Sequence, residues 1–182
     1  MVEAVTASMK ERTGRSVHEW VALVQATDLD PLDQNAVRRW LKAEHGIKQN
    51  SQWAIADAAA RAAGWVPPTL EEYIDSQYHG AKASLRPVFD ALRALLEGLG
   101  DDVSVEGRGA YVPFVRNRQF AAVAAATRSR VDLGLRFADA PDSPLLAASN
   151  GPGQATHKVE LTSPNDVTAE VERLARTAYE QN

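Results

Sequence analysis

RGAYVPFVRNRQFAAVAAATRSRVDLGLRF, residues 108–137, decides the fold. Its last third alternates without a break: Val131, Leu133, Leu135 and Phe137 share one parity, and Arg130, Asp132, Gly134 and Arg136 share the other. A period of two predicts a strand with one buried and one wet face. Upstream, Tyr111-Val112-Pro113-Phe114-Val115 is rich in β-branched and aromatic residues. Between the two lies a short, small, apolar run, residues 120–126, hemmed by Arg116-Asn117-Arg118 and Thr127-Arg128-Ser129. Three consecutive strands of one antiparallel sheet are expected, with 120–126 as the buried central one. Pro113 has no N–H to donate, so its strand is expected at an edge or with its donor side in solvent.

Helices are expected on both flanks of this sheet. Ser84 opens a run in which Leu85, Val88, Phe89, Leu92, Leu95, Leu96 and Leu99 make one apolar face, and Pro87 lies in its first turn, where a missing N–H costs little. Residues 103–106 read as a short strand, 138–153 as a loop rich in proline and small residues, and 156–161 as a last strand. Ser163-Pro164-Asn165-Asp166 reads as the cap of a final helix that buries Val167, Val171, Leu174 and Ala178. Helix, sheet and helix give an α+β layer with both helices on the apolar face.

The N-terminal third is helical by pattern. Ser16-Val17-His18-Glu19 is a capping box. A second helix runs over 33–44 and stops at Gly46; a third is capped by Asn50 or Ser51, buries Trp53 and Ile55, and stops at Gly64. These make a small bundle around Trp20, Trp40 and Trp53. Trp65-Val66-Pro67-Pro68 is a stiff connection, followed by a bridging helix over 70–78. The expected domains are a helical bundle at 1–66, a linker with a short helix at 67–79, and an α+β domain at 80–182.

Composition excludes some classes. The net charge of -4 leaves no global basic field to draw in nucleic acid or an anionic membrane. The first 66 residues balance eight cations against eight carboxylates, so the excess of acid lies in the remainder. Without cysteine there is no disulfide, thiolate metal site or cysteine nucleophile. No apolar run approaches the roughly 20 residues of a membrane span, and MVEAVTASMKERTG reads as an untargeted arm without a signal core. A cytoplasmic protein with no membrane association is expected.

The arginines carry the leading functional expectation. Arg116, Arg118, Arg128, Arg130 and Arg136 fall on or between neighbouring strands, with Tyr111 nearby. Guanidinium forks match phosphate and carboxylate oxygens. The expected site is the open sheet face, with Arg118, Arg130 and Tyr111 holding a nucleotide, a phosphorylated metabolite or a nucleic-acid segment. The competing reading is a solvated face on which Asp132 pairs with its neighbours. An enzyme acting on a nucleotide or phosphorylated substrate would use His157 and Asp132 as acid–base groups, although His157 shares its parity with Val159 and Leu161. A third reading is a protein–protein module that docks through the helical bundle.

Arg38-Arg39-x-x-Lys42 with Lys48 offers a smaller basic set that can face nucleic acid, against a domain of zero net charge. His18, His45 and His79 are scattered, and no pair has ligand spacing, so no metal site is expected. Asp101, Asp102 and Glu106 read as a solvated turn. Asn150-Gly151-Pro152-Gly153 lacks the lysine of a phosphate loop, and Ser84, Ser129 and Ser149 lie in no nucleophile elbow. No cofactor is expected.

Residues 13–56, TGRSVHEWVALVQATDLDPLDQNAVRRWLKAEHGIKQNSQWAIA, resemble a small bacterial helical domain of unknown function, family 4287. YHGAKASLRPVFDAL, GAYVPFVRNRQFA, RSRVDLGL and THKVELTSPNDVTAEVERLARTAYEQ, in this order through residues 78–181, resemble a second domain of unknown function, family 5655. The resemblance implies an accessory binding domain, because the second family also occurs fused to other modules. It rests on Lys82, Arg86, Tyr111, Arg118, Phe120, Arg130, Asp132 and His157. The candidate ligand-binding set is therefore Lys82, Arg86, Tyr111, Arg118, Arg130, Asp132 and His157.

Overall fold

A computed structural model describes residues 8–148 and 151–182. The first half of the N-terminal arm, Ser149 and Asn150 lie outside the described residues. The chain forms two compact units that divide between Pro67 and Pro68.

In the first unit the arm is not merely an arm. Helix α1, Met9–Thr13, buries Met9 completely. Thr13 Oγ1 donates to the Met9 carbonyl at 2.8 Å and accepts from Trp20 Nε1 at 2.8 Å, which ties α1 to the next helix. That helix, α2, Val17–Gln25, opens on the expected capping box: Ser16 N–H donates to Glu19 Oε2 at 2.7 Å, and Ser16 Oγ accepts from Glu19 N–H. Helix α3, Gln34–His45, is capped by Asp33 and closed by Gly46 at φ +62. Gly46 N–H donates to the Lys42 carbonyl and Ile47 N–H to the Leu41 carbonyl, both at 3.1 Å. This is the left-handed helix stop, which only glycine adopts without strain, and it folds Ile47 back onto the core.

Helix α4, Gln49–Ala62, corrects two expectations. It starts at Gln49, so Asn50 and Ser51 lie inside its first turn, and Lys48 stands at the cap position with no side-chain cap bond. Trp53 is 48% exposed rather than internal. The bundle core is instead Trp20, Val24, Val37, Leu41, Ile55 and the alanine face of α4, where small side chains let helices approach closely.

The second unit is α+β. Helix α5, Leu70–Gln77, starts at a capping box between Thr69 and Glu72. A 3-10 turn, Gly80–Leu85, then delays the strongly amphipathic helix α6, Arg86–Glu97, two residues beyond the expected start. The sheet contains β1 (Ser104–Val105), β2 (Val112–Val115), β3 (Gln119–Ala125), β4 (Val131–Leu135), β5 (Ala147–Ala148) and β6 (His157–Leu161). Every neighbouring pair is antiparallel, in the order β1-β2-β3-β4-β6-β5. Pro113 therefore sits one strand in from the edge. Ser163 caps only a 3-10 turn, Pro164–Asp166, and the final helix α7, Ala169–Glu180, begins five residues after Pro164.

One sheet face carries Val112, Phe114, Ala121, Val123, Val131, Leu133, Leu135, Val159 and Leu161, and α6 and α7 cover it in one continuous core. Each fully buried Val, Leu, Ile or Phe contributes about 1.5–3 kcal/mol, so this layer holds the unit together.

The other face is not wet over β4, contrary to the alternation reading. All five β4 residues are buried. Residues 151–155 fold back over the strand, so that a Cβ on Gly134 would meet Ala155 Cβ at 2.7 Å and Pro152 Cδ at 2.8 Å. Gly153 lies against Gln119 in the same way.

The long connection after β4 is also pinned to α7. Ser143 Oγ and the Arg173 guanidinium donate to Glu170 at 2.7–2.8 Å. Arg173 first, then Ser143, lowers the Glu170 carboxyl from its ordinary 4.5 to about 2. A depressed carboxyl stabilises the fold above its unfolded value and loses that contribution as pH falls from about 4.5 through about 2. Glu170→Gln is thus expected to lower the melting temperature at pH 7 and leave it unchanged near pH 2, measured by circular dichroism across that range.

Candidate functional site

A cleft of about 440 Å³ opens in the second unit where the end of α5, the 3-10 turn, the loop before β2 and the β3–β4 turn converge. Gln77, His79, Lys82 and Arg128 line it together with Ser76 and the backbone near Gly109; no carboxylate does. Local structure explains the convergence. Gly80 at φ +55 turns the chain sharply after α5, which brings Lys82 back toward the sheet. Lys82 Nζ donates to the Ala125 carbonyl at 2.5 Å, at the last residue of β3. One ammonium N–H is used there and two stay available.

Gln77 is 9% exposed. Its Nε2 donates to the Arg108 carbonyl at 2.8 Å, which fixes the amide orientation and leaves Oε1 buried with no donor. A buried polar atom without a partner costs about 1–3 kcal/mol, so Oε1 marks a place where a donor is missing. His79 Nδ1 lies 2.6 Å from the Ser76 carbonyl, which can only accept; Nδ1 therefore carries the hydrogen and Nε2 is the other polar atom of the ring. Arg128 is exposed in the β3–β4 turn and enters no ion pair among the described residues. The cleft is thus lined by a tethered ammonium, an exposed guanidinium and an imidazole, with a buried acceptor that lacks a donor on Gln77.

The charge on the far sheet face is organised differently. Arg130 Nε lies 2.8 Å from Asp132 Oδ1, out of line for a hydrogen bond, and its Nη1 lies 3.1 Å from Glu160. Lys158 Nζ meets Asp132 at 3.1 Å and Glu160 at 2.7 Å. The Glu160 and Asp132 contacts raise the Lys158 ammonium above its ordinary value, and Lys158 holds Glu160 below the usual carboxylate range. Two cations and two carboxylates close a neutral ring, with Asp132 only 8% exposed. Arg130 is matched within that ring.

The C-terminal family model matches residues 74–182, more than half of the chain. The chain belongs to the family described as domain of unknown function DUF5655. Residues 2–59 match the model of a second domain of unknown function, DUF4287. No curated protein and no solved structure matches the chain.

Within this DUF5655 domain the expected site residues separate. Lys82 lines the cleft, and Tyr111 follows directly on the Gly109-Ala110 segment of its wall. Arg86 is turned to Asp75 at 2.6 Å, Asp90 at 2.8 Å and Glu71 at 3.7 Å, where it staples α5 to α6. Arg118 and Arg130 do not converge. They flank opposite ends of β3, roughly 20 Å apart at about 3.3 Å per strand residue. Asp132 pairs with Glu160 and His157 with Leu135, so these two side chains leave the sheet on opposite faces. His157 stacks edge-on against Phe137 at 5.7 Å, at the rim of the helix-covered core. They form no acid–base pair.

The remaining arginines are accounted for: Arg116 pairs with Asp102 at 2.7 Å, and Arg136 donates to Gln154 Oε1 at 2.6 Å. Asp102 also accepts from Tyr179, and Glu106 pairs with Arg108. Among the described residues no group of three or more His, Asp or Glu side chains could hold a metal ion, and no helix is long and apolar enough to cross a membrane. Gln77 and His79 were missed as candidates from sequence. A glutamine at a helix end and a lone histidine carry no motif, and only the fold sets them beside Lys82.

Proposed function

We propose that this DUF5655 chain is a binding protein, and that its C-terminal unit holds a small anionic ligand in the cleft of Gln77, His79, Lys82 and Arg128. The observation that carries this reading is the lining itself: two cations without a carboxylate partner, beside a buried acceptor with no donor. A bare anion would satisfy Lys82 and Arg128 and leave the His79 Nε2 acceptor unused. A phosphorylated metabolite or nucleoside monophosphate brings phosphate oxygens for the two cations and hydroxyl or amino donors for His79 Nε2. No reaction is assigned, because the pair an enzyme reading needs stands on opposite faces of the sheet.

Calorimetric titration with a nucleoside monophosphate and with a sugar phosphate tests the proposal. Each charge-assisted hydrogen bond is worth about 1.5–3 kcal/mol. Lys82→Met is therefore expected to weaken binding about tenfold or more, and so is Arg128→Gln, which disturbs no packing. Arg130→Ala is expected to leave affinity unchanged. Loss of binding in Arg130→Ala with full retention in Arg128→Gln and Lys82→Met would move the site to the sheet face and refute the assignment.

A further inference from the structure

The helical unit has a larger cleft of its own, about 760 Å³, between α3 and the start of α4. Arg38, Arg39, Lys42 and Lys48 all line it, and no carboxylate does. Helical spacing explains the first three: positions 38 and 42 lie one turn apart on α3, with 39 beside them. The left-handed stop at Gly46 then swings Lys48 back toward the same space.

Four features separate this cleft from a solvated helix face. Among the described residues none of the four cations enters an ion pair, although most arginines of the second unit do. Half of the eight cations of the first unit line this cleft, and none of its described carboxylates does. Arg38 is pre-set for an acceptor. Its guanidinium lies 3.5 Å from the centroid of the Trp53 ring, its Nη1 donates to Asn35 Oδ1 at 3.1 Å, and its buried Nε has no acceptor. Finally, Gln49 brings the uncapped start of α4, which has no acidic residue in its first turn, to the cleft wall.

We propose that this cleft binds a compact polyphosphate, of the kind carried by a nucleoside di- or triphosphate. Four unmatched cations in one concavity answer the three to four negative charges of such a group. The volume lies within the range of about 300–1,000 Å³ typical of small-ligand sites. An extended nucleic-acid strand would need a basic track running beyond the cleft, and the remainder of the unit, with four cations against eight carboxylates, supplies none. Trp53 lies outside the cleft lining, but it is half exposed and its ring carries the Arg38 guanidinium, so it is the aromatic side chain that a base attached to the phosphates would meet beside the cleft.

The test titrates the full chain with inorganic tripolyphosphate, a nucleoside triphosphate and a ten-residue oligothymidylate. One tripolyphosphate per chain is expected, with affinity falling at least tenfold between about 50 and 200 mM salt. The double variant Arg39→Gln/Lys42→Gln, both exposed and free of ion pairs, is expected to lose about tenfold or more in affinity, and Lys82→Met none. That contrast separates this site from the one in the C-terminal unit. Tighter binding of the nucleoside triphosphate upholds the site with base stacking on Trp53; equal binding upholds it for the phosphates alone. Failure of tripolyphosphate to bind at low salt, unchanged affinity in the double variant, or an oligothymidylate that binds more tightly than either ligand overturns the proposal.

Discussion

Gly134→Leu is expected to unfold the C-terminal unit or to lower its urea midpoint drastically. The strand β4 is packed from both sides. Leu133 and Leu135 are fully buried among α6, α7 and the neighbouring strands. On the opposite face a Cβ at position 134 would lie 2.7 Å from Ala155 Cβ, 2.8 Å from Pro152 Cδ and 3.0 Å from the Pro152 carbonyl oxygen. These are backbone or near-backbone atoms, so the collision cannot be relieved by a rotamer change. Overpacking a core typically costs about 1–3 kcal/mol, and more where nothing can give. Here the segment over the sheet must lift off, which also breaks the Thr156 N–H bond to the Leu135 carbonyl at 3.0 Å. Gly134→Ala is expected to show a milder form of the same loss. Gly109→Ala, with nothing within 4 Å of the added Cβ, is expected to be close to neutral.

Phe89→Ala has the second large effect. Phe89 is fully buried on α6 and packs against Tyr78 with ring centroids 4.9 Å apart. Removing a buried phenylalanine costs about 3–5 kcal/mol, against a total stability of about 5–15 kcal/mol for a typical domain. The damage also reaches the cleft. Tyr78 stands between Gln77 and His79, and its hydroxyl is buried without a partner; burial pushes that phenol above its ordinary value. With Phe89 gone, the ring that holds this turn loses its support. Denaturation monitored by fluorescence and circular dichroism should show the stability loss, and ligand affinity should fall with it. Phe89→Leu should recover most of the stability.

Side-chain parity in β4 was legible because a period of two has no other simple source, and both it and the α6 face appear in the core as expected. The cover over the second face was not legible. A loop of small residues and prolines reads as solvent-exposed, and only its docking onto Gly134 and Gln119 shows otherwise. The spread of Arg118 and Arg130 follows from antiparallel pairing: each precedes one strand of the same hairpin, so the two lie at its opposite ends. Parity alone does not register that distance. Helix starts at Gln49, Arg86 and Ala169 departed from the best local caps because the left-handed stop at Gly46, a 3-10 turn and a second 3-10 turn intervene. Trp53 was read as core from its type, yet it covers Arg38 at the surface. Lys82 was named through family resemblance, whereas its partners Gln77 and His79 follow only from the turn at Gly80.

The most direct test of the C-terminal cleft is a nuclear magnetic resonance titration of the labelled protein with a nucleoside monophosphate. The side-chain amide of Gln77, the Nε–H of Arg128 and the backbone amides of residues 79–82 and 109–110 are expected to shift together and saturate with one affinity. Saturable shifts centred on Arg118, or on Arg130, Asp132 and Lys158, with the Gln77 amide unmoved, would contradict the account.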